Sequence, residues 1–413
     1  MGEDVIKPML RFPEFNENWH KTILENVFKI FNGYAFSSKD NADCGLIWVK
    51  IADVGIQQMK KDNLSFLPIS FRSTHSKFLL NKGDVVVALT RPILNGQLKI
   101  AKIDNFFHES ILNQRVGKIE TSNNLDFIYF YLQRDILIKE IENNISGTDP
   151  PNLSPNDINS IEVTIPKVIE QTKIASFLTA VDDKLQALKK KKELLEQYKK
   201  GMMQQLFSQE IRFKKDDGTN YHDWEWKKLS EVSVEHLTKN TRNDVTEVFS
   251  VSKHKGVINQ IEHLGRSFSS KEISNYKVIF QGDLVYTKSP TSEFPFGIIK
   301  QNRTERVGVV SPLYCVFKPV TIELGYILHE YFYSHVNTFN YLNPLVQKGA
   351  KNTMNINNET FLNGAELFLP IDNEEQTKIA NFLSAIDDKI AHCQSELDGL
   401  VQWKKGLLQQ MFC

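Results

Sequence analysis

Residue types that catalyse reactions occur throughout this sequence, but not at the spacings that catalysis requires. The ten histidines are scattered and suggest no metal-binding cluster. The sequence lacks the glycine-rich motifs that hold nucleotide phosphates and also lacks G-x-S-x-G and H-E-x-x-H. Asp182-Asp183 and Asp387-Asp388 are paired carboxylates, but adjacent residues do not face each other on a helix. We therefore expect no catalytic or metal site, and a structural or partner-facing role for the aspartate pairs.

One tetrapeptide, Asp149-Pro150-Pro151-Asn152, resembles the [DN]-P-P-[aromatic] loop that holds a flipped base in amino-methyltransferases. That chemistry needs an aromatic ring to stack on the base, and the fourth residue here is asparagine. A methyltransferase also needs a glycine-rich turn after a strand for its cofactor, which the sequence lacks. We reject a self-contained methyltransferase and expect the prolines to form a rigid entry into the strand that ends at Pro166.

Polar loops in both halves of the chain hold side chains of the kinds that recognise DNA. Basic groups bind phosphates, amides and hydroxyls bond to base edges, and aromatic rings pack against them. The candidates in the first half are Tyr34, Ser37, Ser38, Lys39, Thr90, Arg91, Gln97, Lys99 and the stretch Ser146-Gly147-Thr148. Those in the second half are Lys239, Asn240, Thr241, Arg242, Lys288, Ser289, Lys348, Lys351, Asn352 and Thr353. Any one of them could instead be an ordinary exposed loop residue.

Composition and charge limit the classes of protein to consider. Lysine plus arginine and aspartate plus glutamate both total 50, which argues against a protein that coats DNA by charge alone. Sequence-specific binding needs basic groups on one face only and stays open. Four unpaired-looking cysteines fit a reducing compartment, and neither a secretory signal nor a membrane-spanning apolar run is visible. We expect a cytoplasmic protein that does not contact a membrane.

The elements that must position these loops are two mixed domains. Short β-type runs at 46–54, 84–89 and 309–317 alternate with polar loops, and helical patterns occupy 125–143 and 324–339. The pattern predicts an α/β (α+β) fold in which two domains of mixed sheet plus helices alternate with two long helices. The expected boundaries are 1–166 and 211–370 for the domains, and 167–210 and 371–413 for the helices.

The two halves are copies of one unit. Residues 171–207 and 376–412 align at an offset of 205, with about half of the positions identical. At the same offset, Trp19 corresponds to Trp224. Between these anchors the halves diverge, but a Gly-Asp pair precedes a β-type run in both, at 83–84 and 282–283. Such internal duplication indicates two domains of one architecture.

The repeated segments carry a heptad pattern of apolar residues. Its members include Ile174, Val181, Leu188 and Leu195 in the first helix and Ile379, Ile386, Leu400 and Leu407 in the second. A sustained seven-residue period predicts supercoiling against another helix, here most simply each other. The alternative is that each helix only packs on the core of its own domain. Roughly 36 residues would give a strut of about 54 Å.

The duplicated segments resemble the specificity subunit of type I restriction–modification systems. The resemblance rests on E-Q-T-K-I-A-x-F-L-x-A-[VI]-D-D-K at 170–184 and 375–389, and on K-K-G-[ML]-[ML]-Q-Q-[LM]-F at 199–207 and 404–412. The Gly-Asp pairs, followed by Asn113-Gln114 and Ser311-Pro312, are similar to weaker motifs of the family's recognition domains.

The resemblance implies two target-recognition domains, each reading one half of a split, asymmetric sequence in double-stranded DNA. It also implies an antiparallel helix pair that spaces them and binds two modification subunits. Catalysis would lie in partners: modification subunits use S-adenosylmethionine, and restriction subunits, joined through the complex, use ATP with Mg²⁺. This chain would bind no cofactor. A strut of about 54 Å suits half-sites that recur on one DNA face every ~34 Å. The competing hypothesis is a coiled-coil scaffold with two protein-binding domains.

Overall fold

The computed structural model describes residues 7–145, 150–253, 255–270, 272–291, 293–348 and 354–413. The chain divides into two compact units. Unit 1 comprises Met1–Lys191 together with Cys393–Cys413, and unit 2 comprises Lys192–His392. Each unit therefore contains a mixed domain, part of one long helix and part of the other.

Unit 1 is a mixed α/β domain with an antiparallel sheet at its centre. Its strands are β1 His20–Ile23, β2 Lys29–Asn32, β3 Leu46–Val49, β4 Phe66–Leu67, β5 Val85–Ala88, β6 Ile93–Leu94, β7 Gln97–Leu98, β8 Ile100–Lys102, β9 Ile111–Leu112, β10 Val116–Glu120 and β11 Glu162–Ile165. Its shorter helices are α1 Leu24–Val27, α2 Phe71–Thr74, α3 Leu125–Tyr131, α4 Asp135–Ile145 and α5 Pro155–Ile158, and the long helix α6 Val168–Phe207 begins here. The central sheet has the order β2-β10-β5-β8, and β4-β3-β9 form a second sheet.

Unit 2 repeats this plan with different loops. Its strands are β12 Glu225–Lys227, β13 Ser233–Glu235, β14 Phe249–Ser252, β15 Gly256–Asn259, β16 Lys277–Ile279, β17 Leu284–Tyr286, β18 Ile299–Gln301, β19 Gly308–Val310, β20 Cys315–Pro319, β21 Gln347–Lys348, β22 Met354–Asn355 and β23 Leu367–Leu369. Its helices are α7 Leu229–Val232, α8 Gln260–Leu264, α9 Ile322–Tyr331, α10 His335–Leu342 and α11 Asn358–Leu362, and the long helix α12 Asn373–Gln410 begins here. The central sheet, β13-β20-β17-β18, has the same order as that of unit 1.

The Gly-Asp pair builds the turn that feeds the central strand in each unit. Gly83 and Gly282 have positive φ values of 92° and 89°, a conformation that glycine adopts without strain. The following carboxylate caps the turn: Asp84 accepts from the Asn81 backbone N–H and Asp283 from that of Phe280, both at 2.8 Å. The motif survives in both halves because the turn needs both residues.

Three features differ from the sequence patterns. The β-type run expected at 309–317 is two strands, β19 and β20, separated by a turn that begins at Ser311. Each expected helix near 125–143 and 324–339 is a pair of shorter helices, α3–α4 and α9–α10. The break in unit 2 lies at Ser334, whose side chain accepts from the Asn337 N–H and caps a new helix. The strand expected at 46–54 ends at Val49, because the Asp53 carboxylate accepts from the Lys50 N–H at 2.7 Å and closes a turn.

The long helices pack on each other in antiparallel fashion within each unit. In unit 1, Leu185 and Leu188 of α6 lie against Cys393 and Leu397 of α12. In unit 2, Leu206 of α6 shares a cluster with residues near the start of α12, including Ile379 and Leu383. With 40 and 38 residues, the helices are about 60 and 57 Å long.

The beginning of each long helix also belongs to a domain core. Ile174, Leu178 and Val181 of α6 pack in the main core of unit 1 with Trp19 and Phe127. In unit 2, Ile379 and Leu383 of α12 pack with Trp224 and Ile327. Packing on the domain core and packing on the other helix therefore coexist, since the first turns of each helix contact both their own domain and the end of the other helix.

Candidate nucleic-acid interface

Unit 1 has a concave polar surface at the end of strand β3, in its second sheet. A cleft of about 490 Å³ is lined by Phe36, Ser38, Asn41, Trp48, Lys50, Ile51, Asn113, Gln114 and Arg115. The Lys50 ammonium lies 3.9 Å above the centre of the Trp48 ring and donates to Ser65 Oγ at 2.8 Å. These contacts hold the Lys50 cation in place at the cleft.

A second cleft, of about 430 Å³, adjoins the first and shares two residues with it. Its lining is Leu89, Thr90, Gln114, Arg115, Pro150, Asn152, Leu153 and Ser154. Gln114 and Arg115 line both clefts, so the turn that carries them stands between the two. We define the two clefts with this turn as the unit 1 cleft.

The double-proline segment forms one wall of the unit 1 cleft. The Arg91 N–H donates to the Pro151 carbonyl at 2.8 Å, and the Thr90 hydroxyl donates to Asn152 Oδ1 at 2.7 Å. Helix α5 separates this segment from strand β11. The prolines therefore do not lead directly into the strand that precedes Pro166, because their segment pairs with Thr90 and Arg91, just after β5. Asp149 lies outside the described residues.

The candidate residues of unit 1 fall into two groups. Several are exposed on loops or on the short β7 strand: Tyr34, Ser38, Lys39, Arg91 and Gln97. The others make internal bonds. Ser37 caps the turn at Ser38–Asp40, Thr90 bonds to Asn152, and the Lys99 ammonium donates to the Ile51 carbonyl at 2.8 Å. Burial lowers the pKa of Lys99.

The candidates of unit 2 divide in the same way. Lys239, Thr241, Arg242 and Ser289 are exposed. Asn240 is buried, with its side chain accepting from the Val245 N–H at 3.1 Å and donating to the Val245 carbonyl at 2.8 Å. Burial lowers the pKa of Lys288, whose ammonium donates to Asn358 Oδ1 at 2.6 Å. Asn240 and Lys288 thus brace the loops that carry the exposed members.

Some candidates cannot be placed. Ser146, Gly147, Thr148, Lys351, Asn352 and Thr353 lie outside the described residues. Lys348 belongs to strand β21, of which the backbone alone is described.

Sequence reasoning overlooked several polar members of the unit 1 cleft, among them Asn41, Lys50 and Arg115. Lys50 lies inside the β-type run predicted at 46–54 and was therefore not considered with the loop residues. Arg115 follows Asn113-Gln114, and a polar triplet between two apolar runs was the signal that could have identified it.

The aspartate pairs of the long helices have a structural explanation. Asp182 forms an ion pair with Lys404 at 2.6 Å in unit 1, and Asp387 forms one with Lys199 at 2.6 Å in unit 2. These pairs are related by the offset of 205 and join the start of one helix to the end of the other. The second members, Asp183 and Asp388, are exposed.

Each unit also anchors its long helix through a buried arginine–glutamate pair. Arg11 bonds to Glu170 through two nitrogens, both at 2.7 Å, and Arg212 bonds to Glu375 at 2.9 and 3.1 Å. Hydrogen bonds to these glutamates raise the pKa of both arginines. The arginine–glutamate pair therefore attaches the first turn of the long helix to its domain in the same way in both units.

Neither a metal-binding cluster nor a membrane-spanning helix occurs in the described part of the chain. No group of three or more histidine, cysteine, aspartate or glutamate side chains is arranged to hold a metal ion there. Nor does any described helix combine the length and the low charge needed to cross a bilayer.

Comparison with known proteins points to one family. Residues 16–197 match the family described as type I restriction modification DNA specificity domain. The chain is 31% identical over 204 residues to the type I restriction enzyme MjaVIII specificity subunit of Methanocaldococcus jannaschii, covering 49% of this chain and 48% of the relative. It is 26% identical over 185 residues to the EcoAI specificity subunit of Escherichia coli, covering 44% and 31%. The chain thus spans about half and about a third of the length of these curated relatives.

A solved structure shares the fold. The S subunit of a type I restriction–modification system from M. genitalium superimposes with a TM-score of 0.62 at 14% identity, covering 99% of both chains. The fold class expected from the sequence, two mixed domains with a pair of long helices, is confirmed. The resemblance to specificity subunits of type I restriction–modification systems that the duplicated motifs indicated is confirmed over residues 16–197.

Proposed function

We propose that this chain is the non-catalytic DNA-specificity subunit of a type I restriction–modification complex. The mixed domain of each unit reads one half of a bipartite, asymmetric sequence in double-stranded DNA. The long helices set the gap between the half-sites and bind two modification subunits. Restriction subunits join through the complex. Within it, S-adenosylmethionine, ATP and Mg²⁺ belong to the partner subunits.

The observation that carries this proposal is the contrast between shared and divergent parts of the two units. The helix anchors recur residue for residue, as in the pairs Asp182–Lys404 and Asp387–Lys199. Apart from the Gly-Asp turns, the sequences of the loops around the sheet ends differ between the two units. Two copies of one partner need equivalent surfaces, whereas two unlike half-sites need different ones. The arrangement therefore supports equivalent docking by the helices and independent reading by the loops.

Exposed candidates of both units supply the DNA-binding chemistry in this proposal. In unit 1 they are Tyr34, Ser38, Lys39, Arg91 and Gln97, together with the residues of the unit 1 cleft. In unit 2 they are Lys239, Thr241, Arg242 and Ser289. The cations bind phosphates and fix the register on the duplex, while the hydroxyls and amides bond to base edges.

The decisive experiment identifies the methylated sequence. The chain is expressed with its modification subunit in a host that lacks adenine methylation, and methylated adenines are mapped by single-molecule sequencing. We expect one motif of two short half-sites separated by a fixed gap. The purified complex should also shift that duplex in preference to scrambled DNA. A complex without any sequence preference would contradict the proposal and favour a protein-binding scaffold. Transfer of methyl groups by this chain alone would contradict its non-catalytic role.

Exchange of one domain tests whether the units read independently. Residues 20–165 are replaced by the same region of a relative with another specificity. One half of the motif should change while the other half and the gap stay constant. A change in both halves would exclude independent reading.

An insertion tests whether the helices set the gap. Seven residues are inserted between 186 and 198 of α6, and the matched variant also carries seven between 391 and 403 of α12. We expect the paired insertion to lengthen the gap and the single insertion to impair assembly, because it shifts Leu188 away from Cys393. An unchanged gap in the paired variant would refute the role of the helices as a spacer.

A further inference from the structure

One tight turn occurs at the same place in both units but carries side chains of opposite chemistry. In unit 1 it joins β9 to β10 through Asn113, Gln114 and Arg115. In unit 2 it joins β19 to β20 and begins with Ser311, Pro312 and Leu313. We call these the 113 turn and the 311 turn.

The backbone of the two turns is fixed in the same manner. Asn113 Oδ1 accepts from the Arg115 N–H at 2.9 Å, and Ser311 Oγ accepts from the Leu313 N–H at 3.3 Å. Each first residue also accepts through its carbonyl, from Val116 at 2.9 Å and from Tyr314 at 3.1 Å. A side chain that bonds two residues on stabilises such a turn in both cases. Arg115 and Leu313 therefore occupy equivalent positions.

Contacts with the surrounding sheet hold both turns still. The Gln114 N–H donates to the Tyr34 carbonyl at 3.0 Å, and the Leu89 N–H donates to the Arg115 carbonyl at 2.9 Å. In unit 2, the Lys277 ammonium donates to the Tyr314 carbonyl at 2.7 Å. Rigid backbone of this kind lowers the conformational entropy that a side chain on it loses on binding.

The side chains at the tips are free to meet a ligand. Gln114 and Arg115 are exposed, and their side chains have no hydrogen-bond or ion-pair partner within the described part of the chain. They stand between the two halves of the unit 1 cleft, close to Lys50 and Thr90. Leu313 is 76% exposed, so most of its apolar surface is open to solvent.

We propose that this turn is a specificity-determining element in both units: Arg115 reads a guanine in the half-site of unit 1, and Leu313 contacts the methyl group of a thymine in the half-site of unit 2. The proposal rests on the proposed function and assigns bases to it. An arginine fork donates to guanine O6 and N7 together, which no other base accepts in the major groove. A leucine offers no hydrogen bond, and the thymine 5-methyl is the apolar feature of that groove.

The experiment compares single variants of the full chain, assembled with the modification subunit, on the methylated motif. In Arg115→Ala, the guanine in the half-site of unit 1 should lose its advantage over the other bases by about 5- to 150-fold. The remaining positions should keep their preference. Lys82→Ala is the matched control, because Lys82 is exposed in the same unit and lies outside the cleft.

The assignment of Leu313 is tested by replacing thymine with deoxyuridine, which removes only the methyl group. Wild-type complex should bind the thymine duplex several-fold tighter, and Leu313→Ala should bind both duplexes equally. Leu264→Ala, which shortens another exposed leucine of unit 2, should retain the thymine preference.

Two results would overturn the inference. A uniform loss of affinity in Arg115→Ala, with a salt dependence reduced by about one ion, would make Arg115 a phosphate contact. An unchanged motif in both variants would remove the turns from base recognition. The wild-type motif is determined first. If that motif is bipartite but is unchanged in both variants, this inference is wrong and the proposed function stands. The absence of any motif defeats the proposed function.

Discussion

Unit 1 and unit 2 share their anchors and differ in what surrounds them. Trp19, at the start of unit 1, donates its indole N–H to Glu170 at 3.2 Å. Its counterpart Trp224 is equally buried, but its indole nitrogen has no hydrogen-bond partner in the described residues of unit 2. The arginine–glutamate pair is present in both. Duplication therefore preserved the ion pair that holds the helix while the tryptophan beside it changed its contacts.

The ion pairs of the long helices show the same contrast. In unit 1, Lys404 bonds to Asp182 and to Gln57 Oε1 at 2.9 Å. In unit 2, Asp387 accepts from Lys199, from Arg303 at 2.9 Å and from the Tyr326 hydroxyl at 2.7 Å. One pair is shared, and unit 2 builds a charged network around it. The shared ion pair joins the two long helices, whereas the additional hydrogen bonds in unit 2 come from residues of its mixed domain.

The central strand gives a third contrast. Val86 of β5 lies opposite Ala101, whereas Val285 of β17 lies opposite Lys300. Lys300 is 1% exposed, and its ammonium lies 4.1 Å above the centre of the Tyr333 ring. Burial lowers the pKa of Lys300 to about 8. Equivalent positions in one sheet therefore hold a small apolar residue in one unit and a buried cation in the other.

The largest effect is expected where the units are alike. Glu170→Ala and Glu375→Ala should each lower the free energy of unfolding of their own unit by about 3–5 kcal/mol, because each deprives a mostly buried arginine of the buried carboxylate that it bonds to through two nitrogens. Hydrogen exchange measured along the chain assigns the loss to unit 1 or unit 2. The controls are the exposed, equivalent Glu162→Ala and Glu366→Ala, which should change stability by less than about 0.5 kcal/mol. A loss under about 1 kcal/mol in either test variant would show that the anchors are not equivalent.

A smaller effect should distinguish the two helix ion pairs. Asp387→Asn should cost about 3 kcal/mol and Asp182→Asn about half of that, because more donors lose a charged acceptor in unit 2. Burial opposes ionisation of Asp387, but Lys199, Tyr326 and Arg303 together lower its pKa. Its contribution is thus present above the unfolded pKa and is lost as the pH falls through the folded value.

Denaturation of both variants and of wild type between pH 3 and 7 measures this difference. Asp183→Asn and Asp388→Asn, at the exposed neighbouring positions, serve as controls. Equal losses from Asp387→Asn and Asp182→Asn would mean that the surrounding network contributes nothing.

Lys300→Met should stabilise unit 2 by about 1–3 kcal/mol at pH 7, since it removes a buried cation and brings β18 closer to the apolar character of β8. The unfolded lysine has a pKa near 10.5 and the folded one near 8, so the folded state gives up its proton first. Below pH 8 the buried charge destabilises the folded state by its full amount, and this destabilisation disappears as the pH rises to about 10.5. The advantage of the variant should shrink over that range.

Thermal unfolding of Lys300→Met and wild type at pH 7, 9 and 10.5 measures this change. Lys318→Met, on the neighbouring strand β20 but exposed, should show no such dependence. A constant difference between Lys300→Met and wild type would place the effect in packing and not in charge.

The smallest effect concerns single loop cations. Lys39→Ala in unit 1 and Arg242→Ala in unit 2 should each weaken DNA binding by the complex a few-fold for all sequences and lower the slope of log affinity against log salt by about 0.9. Titrations at several salt concentrations measure both quantities. Lys139→Ala, on helix α4 and away from the candidate loops, should leave the slope unchanged. If one unit alone responds, the two domains do not contribute equally to phosphate binding.

Much of the framework was predictable from the sequence because it depends on short-range patterns. The heptad residues Ile174, Val181, Ile379 and Ile386 are all buried, as a seven-residue period requires for the inner face of a helix. The Gly-Asp pairs marked turns before buried strands for the same reason. The helix breaks at 132–134 and 332–334 were missed, and the second of them depends on the Ser334 cap, which lies inside an apolar run.

The sequence alone determined the duplication, the long helices and the resemblance to specificity subunits, because these follow from periodicity and from motifs that lie close together along the chain. Tertiary structure decided which polar residues are free. Asn240 and Lys288 looked like DNA contacts, but they bond inside their own unit. Arg115 lines the unit 1 cleft because folding brings together segments that lie far apart in the sequence, from Ser38 to Asn152. Whether a side chain is free depends on neighbours that folding brings together, and no local pattern records them.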